Sequence, residues 1–289
     1  MLDEIRHFLL IAEHGTFRAA ARHAHLSQPA LTASIQRLER AFGTRLLLRG
    51  RHGAEPTAAG AELIPRARAA LAALEDARRA VAEISGLEAG EVRIGASSTA
   101  ATYLLPPVLA HFRTRYPGVR IVLRELRDPD MRDAIDRGTL DLAIAHGSGG
   151  EPWQTDEFIL VGAPSARNTA GPFITSLPGT TTRAELDRHF PGATVVMELG
   201  SMAAIKGHVR EGIGIALISR AAVEQELEAR RLIELAHPAT PIPRRFVLVH
   251  RGKDRLPPAA AALRDTLVAV RNADTTSAHA ARRRRAPRR

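Results

Sequence analysis

The sequence predicts three structures in succession: a small all-α head with a two-stranded wing, one long helix, and a larger α/β domain. Three observations carry this. Capped helical segments with short breaks fill residues 1 to 43. Apolar residues then repeat in alternating steps of three and four from Leu63 to Ile84. From Val92 onward, strand-like apolar runs alternate with helical ones, the mark of an α/β sheet. The 289 residues leave room for two domains and a connector.

Leu2, Ile5, Phe8, Leu9 and Ala12 form the apolar face of a first helix closed by Gly15. Thr16 is placed to cap a second helix, with Phe17, Ala20, Ala21 and Ala24 on its apolar face. After a short break at His25-Leu26-Ser27, Ser27 caps a third helix and Pro29 sits in its first turn, where a missing N–H costs nothing. Leu31, Ile35, Leu38 and Phe42 are expected to be its buried face, and Gly43 its end. Gln28, Ala30, Thr32, Ala33, Gln36 and Arg37 make the opposite face. Short, polar and basic side chains suit a helix that enters a major groove of about 12 Å. The pair is a helix-turn-helix, with the third helix as the reader. Arg45 to Pro56 is read as two short strands around a turn at Gly50-Arg51-His52-Gly53, a wing. Arg49 and Arg51 are candidates for phosphate contacts, which fix register without reading sequence.

These residues carry a resemblance. Ser27-Gln28-Pro29-Ala30-Leu31 followed by Leu38-Glu39 resembles the signature of the LysR-type transcriptional regulators. Gly43 to Arg49 resembles the start of their wing, with Leu47 where an aromatic is common, and Thr57-Ala58-Ala59-Gly60 resembles the opening of their linker helix. The resemblance runs from about Met1 to about Val270. It implies a winged helix-turn-helix domain over 1–57, a linker and dimerisation helix over 58–88, and an effector-binding domain over 91–270. The implied DNA-contacting residues are Ser27, Gln28, Pro29, Thr32, Ala33, Gln36, Arg37, Arg49 and Arg51.

In the long helix, capped by Thr57, the seam is Leu63, Ala67, Ala70, Leu74, Ala77, Val81 and Ile84, a heptad pattern that calls for a partner helix. A twofold dimer would read an inverted-repeat operator, because symmetric protein reads symmetric half-sites. Pro65 should bend this helix or mark an irregular turn. Gly86 to Gly90 ends it.

Beyond the linker the expected order is a strand at Val92–Ile94, a helix at Thr102–Arg115, a strand at Val119–Glu125, a helix at Asp130–Arg137 and a strand at Leu140–Ala145. A crossover near Phe158–Val161 leads to a second series. It has strands near Phe173-Ile174, Ala193–Glu198 and Ile213–Leu217, and helices after Thr182, at Ser201–Glu211 and at Ala221–Arg230. A return strand at Phe246–His250 and a last helix at Pro257–Val270 complete it. Periodicity alone supports only "α/β". The resemblance supplies a two-lobed, periplasmic-binding-protein-like topology, with lobe 1 at about 91–158 and 251–270 and lobe 2 at about 159–250.

In open α/β sheets, ligands sit beyond the carboxyl ends of strands, where helix N-termini favour anions. The candidate effector contacts are Ser97, Ser98 and Thr99 after the first strand, His146 and Ser148 after the third, Thr180 and Thr182 before one helix, and Ser201 before another. The same hydroxyls can serve only as helix caps. Lys206 is read as solvent-exposed or salt-bridged. Ser176 and Leu177 stand where the family usually has an Arg-Glu pair, so a charge contact is lost. Only Gly162 to Pro172 separate Val161 from Phe173, where the family usually has a longer loop and a short helix, so the second lobe reads as trimmed. The expected effector is a small anion. The alternative is an orphan DNA-binding regulator with no effector.

The net charge is +10, but six of it lies in Arg282–Arg285, Arg288 and Arg289, while residues 1–57 hold eight arginines against five acids. Residues 271–289 are read as a disordered basic tail. With no cysteine there is no thiolate metal site, and no export signal or run of about 20 apolar residues is visible, which fits a cytoplasmic protein that does not enter a membrane. Gly95-Ala96-Ser97-Ser98-Thr99 lacks the second glycine of a nucleophile elbow, and no dinucleotide fingerprint or phosphate loop occurs. His23 and His25, two apart at a helix end, point away from each other. No enzyme activity, cofactor or metal is expected. The expected partners are double-stranded DNA, a small effector and further copies of the chain, as a dimer or tetramer.

Overall fold

Residues 1–50, 53–84, 90–167 and 169–270 are described by a computed structural model. They divide into two units. One holds the described residues before position 89 together with Asp133–Thr139, and the other holds the rest.

In the first unit, α1 (Leu2–His14), α2 (Phe17–His23) and α3 (Gln28–Phe42) bury Phe8, Ile11, Ala20, Leu31, Ile35 and Leu38 in one core. Gly15 and Gly43 close α1 and α3 in the left-handed conformation that costs glycine least. Thr16 Oγ1 accepts from Ala19 N–H at 3.1 Å and Ser27 Oγ from Ala30 N–H at 3.3 Å, so both expected caps form. Phe42 departs from expectation: it is 47% exposed. It lies in the last turn of α3, outside the three-helix cluster that Leu38 still reaches.

The wing is an antiparallel pair, β1 (Leu47–Gly50) and β2 (Gly53–Pro56). Leu46, Leu47 and Ala54 root it in the head's core. Glu39 of α3 ties it down: one carboxylate oxygen accepts from Leu46 N–H at 2.8 Å and from Leu47 N–H at 3.2 Å. The linker helix α4 (Ala58–Ile84) runs without a break through Pro65, which is exposed. Gly60 is required at its start, because a Cβ there would collide with the Leu46 carbonyl. Leu63 and Ala67 pack into the head's own core, while Ala70, Ala77 and Val81 stay exposed, Val81 by 63%.

In the second unit, β3 (Glu91–Ala96) pairs in parallel with β4 (Arg120–Glu125) and β5 (Leu142–His146). Between β3 and β4 the chain passes through a π-turn at Ala100–Leu104 into α5 (Leu105–Arg115). The expected helix starting at Thr102 is thus reset, since Pro106 and Pro107 bring no N–H to the ladder. Then α6 (Asp128–Asp136) leads to β5.

The long strand β6 (Glu151–Gly162) begins seven residues before the expected crossover at Phe158. Its first half, Glu151 to Glu157, is mostly polar and gives no apolar signal. In the second lobe β7 (Phe173–Ser176) pairs in parallel with β8 (Val195–Leu199), and α7 (Thr181–His189) and α8 (Met202–Arg210) pack beside them. The strand expected at Ile213–Leu217 is β9 (Ala216–Ser219), with Ile213 exposed. It pairs with β6 and leads into α9 (Arg220–Glu228). A short β10 (Ile233–Glu234), which the sequence did not suggest, adds to β6. Returning, β11 (Ile242–Val249) pairs with both β6 and β5, so β6 and β11 cross between the lobes. A last helix, α10 (258–270), packs Ala260, Leu263 and Leu267 on the first-lobe core. Among the described residues no helix is long and apolar enough to cross a membrane.

Candidate nucleic-acid interface and ligand cleft

The first candidate site is the outer edge of α3. Gln28, Pro29, Ala30, Gln36 and Arg37 are exposed, and Thr32 and Ala33 half-buried. Ser27 is exposed, but its hydroxyl is spent on the helix cap. Arg37 Nε donates to Glu4 Oε1 of α1 at 3.0 Å, so its charge is shared within the head. The Arg49 side chain, Arg51 and the predicted basic tail lie outside the described residues, as does most of the Gly86–Gly90 break. The His23 ring stacks on His14 with centroids 3.9 Å apart.

The second candidate site is a cavity of about 540 Å³ between the two lobes of the α/β unit. Its walls are the segments after the strands. Ser97, Ser98 and Thr99 follow β3, Glu125 to Asp130 link β4 to α6, and His146 ends β5. Across the cleft stand Gly179 to Thr182 at the start of α7 and Gly200 to Met202 at the start of α8. Of the predicted effector residues, Ser97, Ser98, Thr99, His146, Thr180, Thr182 and Ser201 are brought together here. Ser148 does not line the cavity. The loop after β5 turns back toward α6, and Arg132 donates to the carbonyls of Ser148 at 2.7 Å and Gly149 at 3.1 Å.

The hydroxyls divide by occupation. Thr180 Oγ1 caps α7 by accepting from Arg183 N–H, and it donates to the Leu177 carbonyl and bonds Ser176 Oγ at 2.6 Å. Ser201 Oγ caps α8 through Ala204 N–H at 3.2 Å. Ser97 Oγ is different: it is buried and has no hydrogen-bond partner. A buried hydroxyl without a partner costs roughly 1–3 kcal/mol, so it is a group for which a ligand could supply the missing bond. Lys206 is engaged with Glu226 and the Ala222 carbonyl, both at 2.8 Å.

At the cleft floor lies a residue the sequence reading did not single out. Arg244, from β11, is only 9% exposed. Its Nε donates to Asp156 Oδ2 at 2.8 Å, its Nη1 reaches His146 Nε2 at 3.3 Å, and its Nη2 lies 2.7 Å from Asp156 without aligning to donate. Its guanidinium carbon sits 4.3 Å above the Phe158 ring and 4.8 Å above the Phe246 ring. Burial pulls this guanidinium below its ordinary pKa, against the attraction of Asp156. His146 Nδ1 bonds Asp128 Oδ2 at 2.9 Å, and with that nitrogen protonated Nε2 is left to accept from Arg244. Burial works to raise the pKa of Asp128, but the hydrogen bonds from the His146 ring and backbone, with the charge of Arg132, outweigh it and hold the carboxyl below its ordinary value. The signal that could have found Arg244 is a basic pair, Arg244-Arg245, entering the apolar return strand.

Two family models match the chain. Residues 2–61 match the bacterial regulatory helix-turn-helix protein, lysR family, and residues 85–272 match the LysR substrate binding domain. The chain is similar to the RuBisCO operon transcriptional regulator of Allochromatium vinosum, 28% identical over 91% of this chain and 94% of that protein. It is also similar to the SDS degradation transcriptional activation protein of Pseudomonas sp. (strain ATCC 19151), 32% identical over 92% of this chain and 95% of that one. Among solved structures, full-length LysG of Corynebacterium glutamicum, with bound effector Arg, shares the fold with a TM-score of 0.64, at 20% identity over 93% of this chain and 96% of that chain. Matched over both its helix-turn-helix head and its α/β domain, this chain is a member of the LysR family of DNA-binding transcriptional regulators.

Proposed function

We propose that the chain reads an inverted-repeat operator as a homodimer, or as a pair of dimers, and that a small effector with an anionic group, held between the lobes, modulates it. The observation that carries the reading is the exposed polar edge of α3 beside a wing rooted in the same core. Gln28, Thr32, Ala33 and Gln36 face the bases, and Ser27 and Pro29 set the entry of the helix. Arg49 and Arg51 contact phosphates, and Arg37 adds charge at the edge while held by Glu4. The partner helix covers Ala70, Leu74, Ala77 and Val81, the part of the seam that the head's own core does not use.

Ser97, Ser98, Thr99, Thr180, Thr182 and Ser201 offer hydroxyls and helix N-termini to the anionic group. A ligand that bridges the lobes shifts the protein between two arrangements, to the extent that it binds one better. Acting on a chromosome, the protein works in the cytoplasm. A second reading, regulation without an effector, draws on the short 162–172 segment and on Ser176-Leu177 in place of a charged pair.

DNase I footprinting upstream of its own and neighbouring genes tests the main reading. A protected inverted repeat whose pattern changes with an added small acid supports it. Protection with no such repeat contradicts the symmetric dimer, and protection unaltered by any small acid favours the second reading.

A further inference from the structure

The charged groups of the cleft are not those of a simple anion trap. The wall of the second lobe carries no charge: Thr180, Thr181, Thr182, Ser201, Met202 and Ile205 are hydroxyl-bearing or apolar. All lining charges sit on the first-lobe side and on β11, three carboxylates (Glu125, Asp128, Asp130) against two guanidiniums (Arg127, Arg244). Both guanidiniums already have a carboxylate partner for their charge, although Arg244 Nη2 donates to none. Arg127 Nε donates to Asp130 at 2.9 Å, and Arg244 is held by Asp156 directly behind it. Asp128 is met by the His146 ring, and among the described residues Glu125 makes no ion pair. A second negative charge on a ligand would therefore meet no cation left to neutralise it, and burying it unpaired is costly. A positive charge on the ligand would meet Glu125 and Asp128. Ser97, beside Glu125 at the ends of the paired β3 and β4, offers a buried Oγ without a partner, and the start of α7 stands across the cleft from it; together they suit one carboxylate.

We propose that the cleft takes a zwitterion, an amino acid or ω-amino acid. Its carboxylate lies at Ser97, Thr99 and the start of α7, and its ammonium at Glu125 and Asp128. The proposal rests on the reading of the cleft as an effector site and narrows the class of effector. The cavity volume of about 540 Å³ is of the size that holds a small molecule.

Isothermal titration of the full chain with a matched set of probes tests it: 5-aminopentanoate, pentanoate, pentylamine and glutarate, together with the proteinogenic amino acids. The expected result is that at least one zwitterion binds about tenfold or more tighter than pentanoate and glutarate. Glu125→Gln should remove most of that advantage while leaving pentanoate unchanged, and Ser97→Ala should weaken both acids. Glutarate binding as tightly as every zwitterion overturns the zwitterion while leaving the effector site standing, and an advantage that survives Glu125→Gln overturns the seat of the ammonium at Glu125. No saturable binding by any probe overturns both.

Discussion

Ser97 Oγ is buried with no partner, whereas the comparable hydroxyls of Thr180 and Ser201 cap helices. Removing a buried hydroxyl that bonds nothing relieves a cost, while removing a cap incurs one of about 1 kcal/mol. Ser97→Ala is therefore expected to leave the melting temperature unchanged or raise it, and Ser201→Ala to lower it; calorimetry of the two variants checks the contrast. Glu151 offers a second case. Its carboxylate holds Arg264 of α10 at 2.6 Å and His250 at 2.9 Å, tying the last helix to the start of β6. Burial works to raise its pKa, but the hydrogen bonds from Arg264 and His250 overcome that and hold it below the ordinary value. The stabilisation is then complete above the ordinary carboxylate range and drains away as the pH falls through and below it. Glu151→Gln should cost about 1 kcal/mol at neutral pH and progressively less as the pH is lowered through and below the ordinary carboxylate range, measured as the difference between urea unfolding curves.

Among the elements, those governed by neighbours along the chain were legible in advance. The bounds and caps of α2 and α3 follow from Thr16, Ser27, Pro29 and Gly43, all within a turn of the ends they set. Contacts between elements were not. Glu39 looks like one more polar residue on α3, and only the structure puts its carboxylate on the backbone of Leu46 and Leu47. Glu39→Ala leaves two N–H groups without that acceptor and should cost the head about 1–3 kcal/mol, read from chemical unfolding, with the wing's amides exchanging faster. Arg244 was missed for the same reason, since its partners Asp156 and His146 lie 88 and 98 residues away. The seam of α4 was legible as a pattern but not in its division. Leu63 and Ala67 serve the head, and Ala70, Ala77 and Val81 are exposed. Val81→Glu places a charge on that exposed stripe and should shift the protein toward monomer in sedimentation without unfolding the head.

For the whole molecule, charge and shape assign different tasks to the two units. Residues 1–57 carry only a small excess of arginine, and phosphate contacts carry no sequence information, so the proposed reading of an operator rests on the edge of α3. The order of a helix-turn-helix head before an α/β domain was visible in spacing and composition. The depth and charge of the cleft were not, because its walls come from six separate segments of the chain. The most direct test of base reading by α3 is a titration of Gln36→Ala and of the unaltered protein against the operator and a scrambled duplex, across a series of salt concentrations. The expected result is a loss of about 1–3 kcal/mol per altered contact on the operator alone, with the salt slope and the scrambled-duplex affinity unchanged. Equal operator affinity in the two proteins would contradict base reading by the exposed face of this helix.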